Sequence, residues 1–221
     1  MTTTAPRTAM LTQLRLNPRH PATGRELANV DRMHRRVMSL FPDSLGNNPR
    51  AEAGVLHRVE HSHAEAVVLI QSTLTPDTTR LPRGYATTAH RDLGPLLTAL
   101  EVGMRARYRI VANPTRIETT DEGRKQRRQL VGDHAVAWWH RRAEEAGLEL
   151  ESAMLTREYR LVGDKSQRSR RPHYHGATQF DGSATVTHPE ATFRAVLEGI
   201  GRAKSYGCGM LSLVPLTGGD R

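Results

Sequence analysis

Apolar and polar residues alternate through Met10-Leu11-Thr12-Gln13-Leu14-Arg15-Leu16, which predicts a half-buried strand over Ala9 to Leu16. After a loop containing proline and glycine the period lengthens. Val30, Met33, Val37 and Leu40 or Phe41 fall on one stripe, so a helix is expected over Val30 to Phe41. Asn29 suits its N-cap, Asp31 sits in the first turn where a carboxylate complements the macrodipole, and Pro42 follows the end. Gly54 to Val59 and Ala66 to Ser72 read as two strands joined through the turn His61-Ser62-His63. A second helix is expected over Asp92 to Ala99, ahead of a strongly alternating strand over Met104 to Ala112.

The polar, basic stretch Thr115 to Gln129 has no apolar period and is expected to be a mobile loop. Asp133 to Ala146 is amphipathic, with Val136, Trp139 and Ala143 on one face, and both tryptophans are expected in a core. Strands follow near Leu148 to Leu155, Glu158 to Val162 and Gly176 to Phe180, interrupted by the basic segment Asp164 to His175. Thr187 and Glu190 have capping-box spacing, and Phe193, Val196, Leu197 and Ile200 recur as a helical stripe. Met210 to Pro215 closes the chain's pattern as a strand. The element order predicts an α+β protein of two tandem ferredoxin-like domains, residues 1–98 and 99–221.

Charge narrows the partner class. Lys and Arg number 32 against 23 Asp and Glu, a formal charge of +9, which favours a polyanion by long-range attraction and counterion release. Only Lys125, Lys165 and Lys204 are lysine, and no aromatic signature of a base-stacking RNA-recognition sheet is present, so shape and phosphate contacts are expected over stacking. The Thr-rich start lacks the apolar core of a signal peptide, and no apolar run approaches membrane-spanning length. With Cys208 as its single cysteine the chain forms no internal disulfide, which agrees with a soluble, cytoplasmic protein. Cys208 itself reads as a small apolar filler.

Near the end, Gly199-Ile200-Gly201-Arg202-Ala203-Lys204-Ser205-Tyr206-Gly207-Cys208-Gly209 sets four glycines and two cations between a helix and a strand. Such a backbone can approach a phosphate closely while Arg202 and Lys204 supply charge. Ala203-Lys204-Ser205 is not a Walker A loop, because the glycine before the lysine is missing and the order is helix, loop, strand. The other reading of the loop is a tight helix-to-strand crossing and nothing more.

Several segments together resemble one family: Leu27-Ala28-Asn29 through Met33-His34-Arg35, Arg107-Tyr108-Arg109-Ile110-Val111-Ala112-Asn113-Pro114, Ala137-Trp138, and Gly199 through Ser212. The chain resembles the CasE family, the repeat endoribonucleases of type I-E CRISPR systems, from its first strand to Pro215. The resemblance implies two RRM-like domains of the repeat-associated mysterious protein class. It also implies cleavage of the CRISPR precursor transcript at the 3′ base of each repeat stem-loop. Its implied partners are repeat RNA, the mature guide RNA and the other Cascade subunits, with no membrane, no cofactor and a monomer when free. His34 occupies the family's catalytic position, and Arg35 matches the arginine beside it, placed to hold the scissile phosphate.

RNA carries its own nucleophile, the 2′-hydroxyl, so the reaction requires alignment and proton transfer but no metal, and histidine titrates in the right range. Where the family has a tyrosine three residues before the histidine, this chain has Asp31. Asp31 either orients the His34 imidazole and raises its pKa or merely complements the helix N-terminus. Arg36 is a candidate RNA contact, as are Lys165, Arg168, Arg170 and Arg171 in the region of the family's basic hairpin, and Arg202, Lys204, Gly199, Gly201, Gly207 and Gly209 in the glycine loop. Arg124, Lys125, Arg127 and Arg128 form a further basic cluster, for RNA flanks, a Cascade neighbour or solvent alone. The pairs His61/His63 and His173/His175 lack the carboxylates or cysteines of a metal site. A non-catalytic RNA-binding Cascade subunit and a metal-dependent hydrolase are the competing functions.

Overall fold

The computed structural model describes residues 8–62, 65–165 and 172–216. Its first sheet has the order β2-β3-β1-β4, built from β1 (Met10–Leu16), β2 (Leu56–His61), β3 (Ala66–Ser72) and β4 (Ala86–Asp92), all antiparallel. Between β1 and β2 run α1 (Pro21–Leu27), α2 (Val30–Met38) and the single turn α3 (Pro49–Glu52). The predicted stripe of α2 does the packing: Met33, Val37, Leu40 and Phe41 are buried against Leu14, Leu16, Val68 and Ile70. Asn29 caps the helix as expected, its side-chain oxygen accepting from the Asp31 and Arg32 amides.

Three expectations fail in this half. The supposed loop after β1 contains α1, started by Pro21 at its first position and by a His20 ring nitrogen that accepts from the Ala22 amide. Only a 3-10 turn, Thr78–Arg80, stands between β3 and β4. The expected helix over Asp92 to Ala99 shrinks to α4 (Gly94–Thr98), because the polar Ala86–Asp92 segment pairs with β1 as an unforeseen strand. Leu93, Leu97 and Leu100 around α4 bury themselves in the second core, so this segment joins the halves.

The second sheet has the order β11-β5-β10-β8, with β9 also paired to β10. Its strands are β5 (Arg105–Ala112), β8 (Leu148–Leu150), β9 (Met154–Lys165), β10 (Pro172–Val186) and β11 (Leu211–Pro215), covered by α5 (Gly132–Glu145) and α6 (Pro189–Glu198). Trp138 and Trp139 are buried as expected, and Trp139 stacks on Phe180 and donates to the Tyr108 hydroxyl. In place of a mobile loop, residues 115–129 form the hairpin β6 (Thr115–Thr119) and β7 (Lys125–Gln129). Backbone pairing needs no apolar side chains, and Glu118 joins Arg116 and Arg128 across it. The capping box is not used: His188 stands at the N-cap of α6 without a side-chain cap bond. The interruption expected over Asp164 to His175 is narrower among the described residues, since β9 runs to Lys165 and β10 starts at Pro172.

Polar ties join the two sheets. Arg58, only 3% exposed, bonds Glu60 and donates to the Met210 carbonyl at 3.2 Å, and the Gln71 amide donates to the Val196 carbonyl at 2.6 Å. The glycine loop closes the junction. Its Ile200 amide donates to Gly209 and its Gly209 amide to Val111, while Gly207 leaves room for the buried His57 ring.

This junction makes stability testable at two positions. Gly209 has φ +89°, and a Cβ there would lie 2.8 Å from the Ile200 carbonyl oxygen. Gly209→Ala is expected to cost about 2–3 kcal/mol in urea unfolding, and a change near zero would show that the loop relaxes freely. Burial, with His34 and Arg50 adding positive charge, lowers the His57 pKa from 6.5 to about 3. The unfolded chain therefore binds the extra proton across that window, so stability is full above about pH 6.5 and falls as the pH drops toward 3. His57→Met is expected to flatten the acid loss of stability relative to the parent, and an unchanged slope contradicts the assignment.

Candidate active site

Helix α2 presents its polar face to the second half of the molecule. His34 lies there, its ring stacked on His57 of β2 with centroids 6.4 Å apart. The His34 Nδ1 atom is buried without a hydrogen-bond partner, so Nε2 is the nitrogen left for chemistry. Burial lowers the His34 pKa first, the Arg50 guanidinium lowers it further, and Asp31 opposes both. The balance favours the neutral imidazole, the form suited to accepting a proton.

Asp31 does not hold His34 by a hydrogen bond. Its Oδ2 accepts from the Asp164 amide at 2.8 Å and lies 2.7 Å from His173 Nε2, so α2 is fastened to β9 and β10. The orienting role expected of Asp31 is thus directed at His173. Around the same point the Asn29 amide donates to Asp164 Oδ1 at 2.8 Å, and Arg32 Nε and Arg35 Nη2 share Asp164 Oδ2 at 3.4 Å each. The histidine pair continues inward: His173 Nδ1 lies 3.1 Å from His175 Nε2, and Tyr206 stacks on His175 at 4.7 Å and meets His173 at a tilt, 5.2 Å between centroids.

Two openings flank α2. A cleft of about 240 Å³ is lined by Met33, His57, Tyr159, Val162, Tyr206 and Gly207. A wider groove of about 570 Å³ on the other side gathers Arg25, Arg32, Arg35, Arg36 and Ser39 around Asp164. Arg35 is well exposed and only loosely paired, free to exchange a carboxylate for a phosphate. Arg36 is differently placed. It forks onto Glu26, with Nη2 2.7 Å from Oε1, and covers the Tyr85 ring, whose hydroxyl donates to the same carboxylate. Its first task is to hold α2 on α1.

The glycine loop lies across the junction from α2. Gly199, Gly201, Gly207 and Gly209 all have positive φ, and so does Ala203 at 57°. The amides of Ile200, Tyr206, Gly207, Cys208 and Gly209 donate to carbonyls within the protein, so these five N–H groups are committed to the fold. Its cations remain available: Arg202 is exposed, and Lys204, lowered in pKa by burial and by Arg50, lines an opening with both arginines. Cys208 is fully buried and its thiol is pushed up to about 12, in keeping with a filler. Of the basic hairpin, Lys165 ends β9, and Arg168, Arg170 and Arg171 lie outside the described residues, as does His63. Among the described residues no group of three or more His, Cys, Asp or Glu is placed to hold a metal ion.

His57, Arg50 and Tyr206 escaped the sequence reading, and His173 and His175 entered it only as a metal pair. Their i, i+2 spacing does carry a signal, since alternate residues of a strand share one face.

Residues 10–215 match the profile of a family described as CRISPR associated protein. The CRISPR-associated endoribonuclease Cse3 of Thermus thermophilus is 31% identical over 217 residues, covering 93% of this chain and 99% of the relative. The Cascade subunit CasE of Escherichia coli (strain K12) is 28% identical over 204 residues, covering 83% and 91% respectively. The solved structure of Thermus thermophilus Cse3 bound to an RNA representing a pre-cleavage complex superposes with a TM-score of 0.79 at 30% identity, over 94% of this chain and all of that one. The family match spans both sheets and takes in the α2 histidine and the glycine loop that faces it, and the chain belongs to the Cse3/CasE family of type I-E CRISPR-associated endoribonucleases.

Proposed function

We propose that this chain cleaves the CRISPR precursor transcript at the 3′ base of each repeat stem-loop, without a metal ion, and holds the mature guide RNA as a subunit of Cascade. The observation that carries the reading is His34: a partly buried imidazole with Nδ1 sealed off, stacked on His57 of the cleft and next in the chain to Arg35 of the arginine groove. Its free Nε2 takes the proton of the 2′-hydroxyl, which attacks the adjacent phosphorus in line. Arg35, with Arg32 beside it, leaves Asp164 for the scissile phosphate and stabilises the charge that builds on it. The products are a 2′,3′-cyclic phosphate and a 5′-hydroxyl.

The reading extends to the whole chain. Both sheets share one strand order by position, fourth-first-third-second, which supports two ferredoxin-like domains, residues 1–98 and 99–221, with α4 as the joint. Lys165, Arg168, Arg170 and Arg171 are proposed to grip the RNA stem, with Arg202 and Lys204 on the phosphate path and the four loop glycines shaping the wall. Arg36 contributes through α2, and any RNA contact it makes is shared with Glu26. The free protein is a cytoplasmic monomer that joins its Cascade neighbours after RNA processing. Among the described residues no helix is long and apolar enough to cross a membrane.

The cognate repeat hairpin, incubated with the protein in EDTA, tests this directly. Wild type is expected to cut all-ribose RNA, while His34→Ala and a substrate with a 2′-deoxy residue upstream of the cut give no product. Uncut RNA that stays tightly bound to wild type overturns the enzyme reading in favour of a binding subunit, and rescue by added divalent ions overturns the metal-free one. The rate at saturating RNA is expected to fall on acidification with its midpoint below 6.5, because His34 must be neutral to accept the proton and its pKa is lowered. A midpoint above 6.5 contradicts the base role.

A further inference from the structure

One base does not complete the reaction. As the 2′-oxygen closes on phosphorus, the bond from phosphorus to the 5′-oxygen breaks, and that alkoxide is a poor leaving group unless it receives a proton. Arg32 and Arg35 remain charged and cannot serve as acids, and the position where the family has a phenol is Asp31 here.

The structure offers a second proton path one helical turn from His34. Asp31 Oδ2 lies 2.7 Å from His173 Nε2, and His173 Nδ1 lies 3.1 Å from His175 Nε2, so three side chains form a continuous hydrogen-bonded line. Asp31 is fixed at one end by the Asp164 amide. Both rings contact Tyr206, which stacks on His175 and lies tilted against His173. Of the ring nitrogens in the line, His175 Nδ1 is the one its internal bonds leave over, and His175 is half-buried. The line ends beside the proposed site: Tyr206 and His57 line the same cleft, His57 carries the His34 stack, and a Cβ on Gly207 would be 3.6 Å from His57 Nε2. His175 thus stacks on Tyr206 and His34 on His57, two rings that line one cleft.

We propose that His175 is the general acid of the cleavage, supplied with its proton by His173, which Asp31 positions. The inference rests on the reading of His34 as the base. At the start His173 carries two N–H groups, one on Asp31 and one on His175 Nε2, and His175 carries its proton on Nδ1. His34 Nε2 removes the 2′-hydroxyl proton, the new phosphorus–2′-oxygen bond forms and the phosphorus–5′-oxygen bond breaks. His175 Nδ1 protonates the departing oxygen while His175 Nε2 takes the proton from His173 Nδ1. One proton has then entered at His34 and one has left the relay, and Asp31 stays a carboxylate throughout.

A 5′-bridging phosphorothiolate hairpin tests the assignment, since a thiolate departs without an acid. At saturating RNA, His175→Ala and His175→Gln are expected to slow cleavage of the ordinary hairpin by about 10²-fold or more and to cut the sulfur substrate within about threefold of wild type. His173→Gln is expected to lose less and to recover on sulfur in the same way. Binding of an uncleavable 2′-deoxy hairpin, measured for every variant, is expected to stay within about threefold, as a proton donor adds little ground-state affinity. The proposal is overturned by wild-type rates in both His175 variants, by a loss that sulfur does not relieve, or by a loss confined to binding. His34→Ala separates the two readings: inactivity on both substrates keeps His34 as the base, activity on the ordinary hairpin removes it from catalysis whatever His175 does, and recovery on sulfur makes His34 the acid and excludes His175.

Discussion

The Asp31 carboxylate is the point on which the geometry of the site depends. It belongs to α2, yet both of its strong contacts are with the second half of the chain, the Asp164 amide at 2.8 Å and His173 at 2.7 Å. Both contacts converge on Oδ2, one from a backbone amide and one from an imidazole, so they tie α2 to two strands at one point. Had α2 been joined to the second sheet by apolar contact alone, His34 could slide along the groove by a fraction of a turn. Proton transfer tolerates little of that.

The charges around this tie follow one scheme. The protein carries +9 overall, and the arginines nearest the junction are paired with carboxylates of graded strength. Arg58 and Arg36 are buried or nearly so and hold short forks with Glu60 and Glu26, which suits structural ties that break only at high cost. Arg32 and Arg35 share a single oxygen of Asp164 at 3.4 Å and are largely exposed. Exposed pairs of this length contribute little to stability, so exchange of Asp164 for an RNA phosphate leaves the fold intact. The same gradient separates cations locked into the fold from cations held loosely at its surface.

Much of this was legible in the sequence where one element carried its own signal. The strand Ala66–Ser72 and the α2 stripe with its Asn29 cap were readable because burial on one face writes a period into the residues. The strand Ala86–Asp92 was not, since Ala-Thr-Thr-Ala-His-Arg-Asp is almost wholly exposed and exists by pairing with the free edge of β1. The hairpin over 115–129 was missed for the same reason. In the site, His34 was found by its motif, whereas His57 gave no local sign: its burial depends on Gly207 approaching from the far end of the chain. Asp31 was noticed as a departure, but its partner was sought on its own helix, because a one-dimensional reading weighs i, i+3 neighbours and cannot see β10.

The glycine loop shows why the remainder had to come from three dimensions. Its bare backbone suggested phosphate binding, and in the fold its amides are largely spent on Val111, Lys204 and the loop's own carbonyls. What the positive φ values achieve is a path that brings Gly207 against the His57 ring and stacks Tyr206 on His175, with His173 in tilted contact. A bulkier residue at 207 or 209 would lift that turn away from β2 and β5, and the aromatic would leave the histidines with it. The loop therefore acts on the chemistry through shape: it seals one side of His57, on which His34 rests, and fixes the two rings on the other side of the cleft. The charges at Arg202 and Lys204 are additions to a turn whose first constraint is steric.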